Sequence, residues 1–109
     1  MGLTKTENFT FQQNELAQIA KVLGHPGRIA IIQYLLKVNQ CICGEIVNEI
    51  ALAQPTISRH LKELKSIGII KGTIEGTSIN YCIDADKWRE IQQMFNELFD
   101  TYVLDKECC

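Results

Sequence analysis

Residues 54–83 change their apolar period at a single glycine. Ile57, Leu61, Leu64 and Ile67 recur at three- and four-residue spacing, which places them on one face of a helix opened by Pro55 and closed by Gly68. Beyond Gly68, the segments 69–74 and 77–83 are rich in β-branched residues and flank Glu75-Gly76, a pattern that predicts a β-hairpin, or wing.

The remainder reads as helix. Asn14 is placed to cap a helix through about Leu23, with Leu16, Ile19, Ala20 and Leu23 as its apolar stripe and Gly24 as its end. His25 stands at the junction, and Pro26 suits the first turn of a second helix through about Lys37, whose Ile29, Ile32, Leu35 and Leu36 would face the core. A short helix over about 44–50 and the Ala51-Leu52-Ala53 turn lead into the helix of Pro55, making a helix-turn-helix. Asp84-Ala85-Asp86 begins a terminal helix to about Val103, with Trp88, Ile91, Met94, Phe95, Leu98, Phe99 and Tyr102 on one broad face. That is more apolar surface than a core of 109 residues absorbs, so part of it is expected in a dimer interface.

The predicted fold is therefore mainly α with a small β-hairpin: a winged helix-turn-helix that forms a homodimer through its terminal helices. One domain covers residues 1–109, with a short N-terminal extension, 1–12, and a cysteine-containing tail, 104–109. No apolar run approaches the roughly 18 residues a membrane helix requires, and Met1-Gly2-Leu3-Thr4-Lys5 lacks the apolar stretch of a signal peptide. A cytoplasmic protein is expected.

A net charge of −2 argues against a nucleic-acid partner until it is read by segment. Residues 1–53 are balanced and 84–109 carry seven acidic against three basic side chains, whereas 54–83 carry four basic against two acidic. The basic segment is the one with the polar helix. There Gln54, Thr56, Ser58, Arg59 and His60 lie ahead of or opposite the buried face, with Lys62 and Lys65 further along. Hydroxyl, amide and guanidinium groups near a helix N-terminus are what a recognition helix carries into the major groove to meet base edges and phosphates. Lys71, Thr73, Thr77 and Ser78 on the hairpin read either as backbone or minor-groove contacts or as a plain solvated surface.

The five cysteines (41, 43, 82, 108 and 109) are an odd number in a chain with no export signal, which favours metal or redox chemistry over a disulfide framework. Cys41-Ile42-Cys43 stands just upstream of the DNA-reading segment. On a regular helix, residues two apart diverge by roughly 200°, so these thiols converge on one ion only where the chain is irregular. An ion held there would then alter the support of the reading helix. Neither histidine has a spacing that suits a metal ligand or a catalytic base, and no nucleophile motif accompanies the thiols, so an enzyme is not expected.

Over about residues 14–103 the chain resembles the ArsR/SmtB winged helix-turn-helix repressors. The resemblance is carried by Leu23-Gly24-His25-Pro26-Gly27-Arg28-Ile29, by Gln54-Pro55-Thr56-Ile57-Ser58-Arg59-His60-Leu61-Lys62-Glu63-Leu64, and by Gly68-Ile69-Ile70. It implies a homodimer that represses transcription at operator DNA and lets go when a metal or metalloid binds, with Gln54, Ser58, Arg59 and His60 aimed at the DNA. Where the family's wing usually carries arginines near its tip, this chain has Glu75-Gly76-Thr77, so weak wing contacts are expected.

Cys41 and Cys43 match the family's Cys-x-Cys site of arsenite-, cadmium- and lead-responsive members. The third cysteine common in arsenite-type members is replaced by Ile46. Trigonal As(III), Sb(III) or Pb(II) wants three thiolates and tetrahedral Cd(II) up to four, which leaves Cys108 and Cys109 as the leading further donors and Cys82 as a packed thiol. Members with a second sensor place Asp and His ligands on the last helix. Here Asp84, Asp86, Glu97 and Asp100 come with no histidine and read as a cap with a solvated acidic face. No organic cofactor is implied. The alternative is a redox- or persulfide-sensing repressor of the same fold; Cys41 and Cys43 are too close for an easy bridge, so it would need Cys82 or the tail.

Overall fold

The computed structural model describes residues 8–38, 52–75 and 78–102, and their side chains except at 54, 74, 75, 78 and 79. In chain order they form α1 (Phe11–Leu23), α2 (Pro26–Val38), α3 (Gln54–Ser66), β1 (Ile70–Glu75), β2 (Ser78–Ile83) and α4 (Ala85–Asp100). The short helix expected over 44–50 lies outside the described residues.

α1 starts earlier than Asn14 because Thr10 and Gln13 form a capping box. Thr10 Oγ1 accepts from the Gln13 backbone N–H at 3.0 Å, and the Thr10 N–H donates to Gln13 Oε1 at 2.9 Å. Two N–H groups that a helix start leaves without partners are thereby satisfied. Residues 11 and 12, assigned above to an extension, are helical. α2 is opened by His25, whose carbonyl accepts from Arg28 and Ile29 and whose Nδ1 accepts from the Gly27 N–H at 2.9 Å. It buries Ile31, Ile32 and Leu35. Ile29 and Leu36, expected in the core, are 41% and 44% exposed. α2 is apolar on several sides, so its period alone does not choose a face; contact with α1, α3 and β2 does.

α3 places Pro55 in its first turn, where the missing N–H costs nothing. It ends because Gly68 adopts φ 81° and returns its N–H to Lys65 at 2.9 Å. That left-handed conformation favours glycine, and a Cβ there would also stand 3.2 Å from Lys87 Cγ. β1 and β2 pair antiparallel from Ile70 opposite Ile83 to Glu75 opposite Ser78, each starting one residue later than the sequence pattern predicts. Asp84 fastens the wing to the next helix: its N–H donates to the Ile69 carbonyl at 3.0 Å, and its Oδ1 caps α4 by accepting from the Lys87 N–H at 3.1 Å.

Ile19 and Val22 of α1, the three α2 residues, Ile57, Leu61 and Leu64 of α3, Ile67, Ile69, Ile70 and Ile91 of α4 form one core. Trp88, Met94 and Phe95 pack against its edge, while Leu98, Phe99 and Tyr102 are 54%, 68% and 60% exposed. The broad apolar face of α4 is thus buried at its start and open at its end. Leu64 is fully buried in the last turn of α3. Leu64→Ala should lower unfolding stability by about 2–5 kcal/mol, read as a fall in the urea midpoint at unchanged slope.

Candidate nucleic-acid interface

Helical geometry divides α3 into two faces. Ile57, His60, Leu61 and Leu64 are buried, whereas Pro55, Ser58, Arg59, Lys62, Lys65 and Ser66 are exposed. Ser58, Arg59 and Lys62 form one outward stripe at three- and four-residue spacing. Thr56 is half-buried beside them, and Gln54 opens the helix at its N-terminus. Lys71 and Thr73 are exposed on β1. Thr77 and the side chain of Ser78 lie outside the described residues.

His60 departs from expectation. Its side chain is 1% exposed, so it faces the core and not a DNA groove. Arg28 Nε donates to His60 Nδ1 at 3.1 Å, while Arg28 Nη1 donates to the Val22 carbonyl at 3.0 Å. The His25 ring lies against it, centroids 4.3 Å apart. Burial above all, then the nearby His25, Arg28 and Arg59, hold the His60 pKa below the ordinary imidazole value. A Cβ on Gly27 would stand 3.0 Å from His60 Nε2 and 3.2 Å from Leu52 Cδ1, so a hydrogen at position 27 lets α2 approach α3 this closely. Nothing in the spacing of the chain points to this role of Arg28, which lies thirty-two positions from His60. A polar residue at a position between Ile57 and Leu61 on the buried side of the wheel was the available signal for His60.

Cys41, Cys43, Cys108 and Cys109 lie outside the described residues. Cys82 is 8% exposed and disulfide-bonded, which corrects its reading as a packed thiol. Among the described residues no three His, Cys, Asp or Glu side chains come together as a metal site, the acidic residues of α4 included. Among them, too, no helix is long and apolar enough to cross a membrane.

The exposed stripe can meet phosphates through Arg59 and Lys62, and base edges through Ser58 and Arg59. The N-terminus of α3 adds the positive end of a helix dipole close to Ser58 and Arg59. A polar, basic helix face seated on a helical core and followed at once by a two-stranded wing defines a winged helix-turn-helix DNA-binding protein.

Comparison with known proteins agrees. Residues 25–71 match the family described as bacterial regulatory protein, arsR family. An uncharacterized HTH-type transcriptional regulator of Methanocaldococcus jannaschii is 41% identical over 83 residues, 75% of this chain and 92% of that protein. The HTH-type transcriptional repressor SmtB of Mycobacterium tuberculosis is 34% identical over 64 residues, 59% of this chain and 47% of that one. Among solved structures, the homodimeric winged helix-turn-helix DNA-binding domain of a possible ArsR-family regulator from Mycobacterium bovis superposes with a TM-score of 0.65 at 22% identity, covering 100% of this chain and 98% of that domain. The chain belongs to the ArsR family of HTH-type transcriptional regulators, and these are DNA-binding proteins and not enzymes.

Arg59→Ala and Lys62→Ala should each weaken binding to duplex DNA. In anisotropy titrations across salt concentrations, loss of a phosphate contact lowers the slope of log affinity against log salt by about 1 per residue. Neither exposed substitution should change the far-UV circular dichroism.

Proposed function

We propose that this repressor acts in the cytoplasm as a homodimer and leaves its operator when a thiophilic ion binds Cys41 and Cys43. As(III) or Sb(III) is favoured, with Cd(II) and Pb(II) as further inducers. The observation that carries the reading is the place of Cys41-Ile42-Cys43: residues 39–53 join the end of α2 to the start of α3, so an ion gripped there acts on the connection that leads into the DNA-reading helix.

The donor chemistry fits a soft ion, because thiolates select such ions over hard ones. With Ile46 in place of a third cysteine, further donors come from Cys108 and Cys109; the disulfide at Cys82 takes one of the other four cysteines, so three thiols remain, enough for a trigonal ion. Gln54, Ser58, Arg59, Lys62, Lys65 and Lys71 would hold the operator. Derepression needs the ion to prefer the DNA-free state by several kcal/mol, which several metal–sulfur bonds can supply.

Pairing of two chains is supported by the exposed Phe11 of α1 and by Leu98, Phe99 and Tyr102 at the end of α4 and just beyond it, an apolar surface at the two terminal helices. The M. bovis domain of similar fold is itself a homodimer. Phe99→Glu should therefore yield monomers in sedimentation velocity and weaken DNA binding at least about tenfold, because two linked half-sites become one.

Arsenite, antimonite, cadmium and lead decide the inducer in an electrophoretic shift assay. At least one should release the DNA from the wild type and not from the doubly substituted Cys41→Ser, Cys43→Ser protein. Indifference of the wild type to all four would sink the sensing claim. A redox- or persulfide-sensing repressor ranks second, resting on the disulfide at Cys82. Release by an oxidant alone, with no response to any ion, would reverse that order.

A further inference from the structure

His60 is a titratable group buried in the middle of the helix that faces DNA. Because Arg28 Nε donates to its Nδ1, the neutral ring carries its proton on Nε2. That Nε2–H is buried with no acceptor among the described residues, facing Gly27. A second proton can go only to Nδ1, where it would point at the Arg28 N–H already there. Arg28 would have to leave, giving up its simultaneous bond to the Val22 carbonyl at the end of α1. The charged and titratable groups facing His60 among the described residues are His25 at the α1–α2 junction, Arg28 from α2 and Arg59 from α3. Each of the three disfavours a charge on the His60 ring, and no described carboxylate pairs with the ring to offset them.

We propose that His60 and Arg28 form a proton-operated latch on the recognition helix: neutral His60 holds α3 in its DNA-reading position, and protonation expels Arg28 and weakens DNA binding as the solution acidifies. The latch rests on the DNA-binding reading of α3 and is independent of the thiols.

Linkage sets the sign. The pKa of His60 is lowered from 6.5 in the latched state, so the unlatched state binds the proton more tightly. The stabilisation is complete above about 6.5 and is lost as pH falls through the lower latched value. If the DNA-bound form excludes the proton and the unlatched form titrates normally, affinity falls up to about tenfold per protomer one pH unit below 6.5.

The probe is a fluorescein-labelled duplex selected in vitro on this protein at pH 7.5, titrated at about pH 7.5 and 5.5 at constant ionic strength. His60→Asn keeps a carbonyl acceptor for Arg28 but cannot titrate. The wild type should lose about tenfold or more in affinity, and His60→Asn less than about threefold. Equal pH dependence in the two proteins, or none in the wild type, overturns the latch.

Nuclear magnetic resonance of the wild type covers the case of a variant that does not fold, and the chain has only two histidines to assign. The His60 ring should titrate below about 6.5, with the Ser58 and Arg59 amides moving at the same midpoint. A His60 midpoint at or above that value, or α3 amides that ignore it, rejects the proposal. Failure to bind DNA at any pH would contradict the DNA reading instead, and the ring titration would still decide the latch.

Discussion

The seating of α3 governs everything else in this protein. An isolated helix of 13 residues is marginal in water, so this one exists because Ile57, Leu61 and Leu64 are removed from water against α1 and α2. The same burial fixes the rotation of the helix about its axis. With Leu64 at the bottom of the wheel, Ser58, Arg59 and Lys62 have nowhere to point but outward. DNA recognition and core packing are in this sense one constraint, expressed on two faces of one element.

At the buried side, the constraint is partly polar. Arg28 spans from the Val22 carbonyl to His60 and ties the three helices at one point, and Gly27 makes room for the contact. A buried imidazole is a costly choice for a core position unless it is bonded, and Nδ1 is bonded while Nε2 has no partner among the described residues. That half-satisfied ring makes the joint between α2 and α3 sensitive to protonation. The chain segment between the same two helices carries Cys41 and Cys43, so both proposed inputs converge on how α3 is held.

The wing and α4 show the opposite arrangement, in which structure is set locally and function is left open. Gly68 ends α3, Asp84 caps α4, and the Asp84 N–H bond to Ile69 joins the base of the hairpin to the start of that cap. Along α4 the apolar face runs past the edge of the core, so Leu98 and Phe99 in its last turn are exposed among the described residues.

The sequence by itself determined the order of elements, the glycine at which helix gives way to hairpin, the cap at Asp84 and the outward stripe of α3. All follow from spacing or from local backbone chemistry and need no knowledge of neighbours. The Thr10–Gln13 capping box is likewise a local pattern, and it moves the start of α1 ahead of Asn14. Only tertiary structure decided which face of α2 is buried, because a helix apolar on several sides has no preferred face until α1, α3 and β2 supply one. The helical wheel already puts His60 on the side of Ile57 and Leu61, but only tertiary structure gave the buried ring its partner, because Arg28 lies thirty-two positions away until the fold brings it to Nδ1.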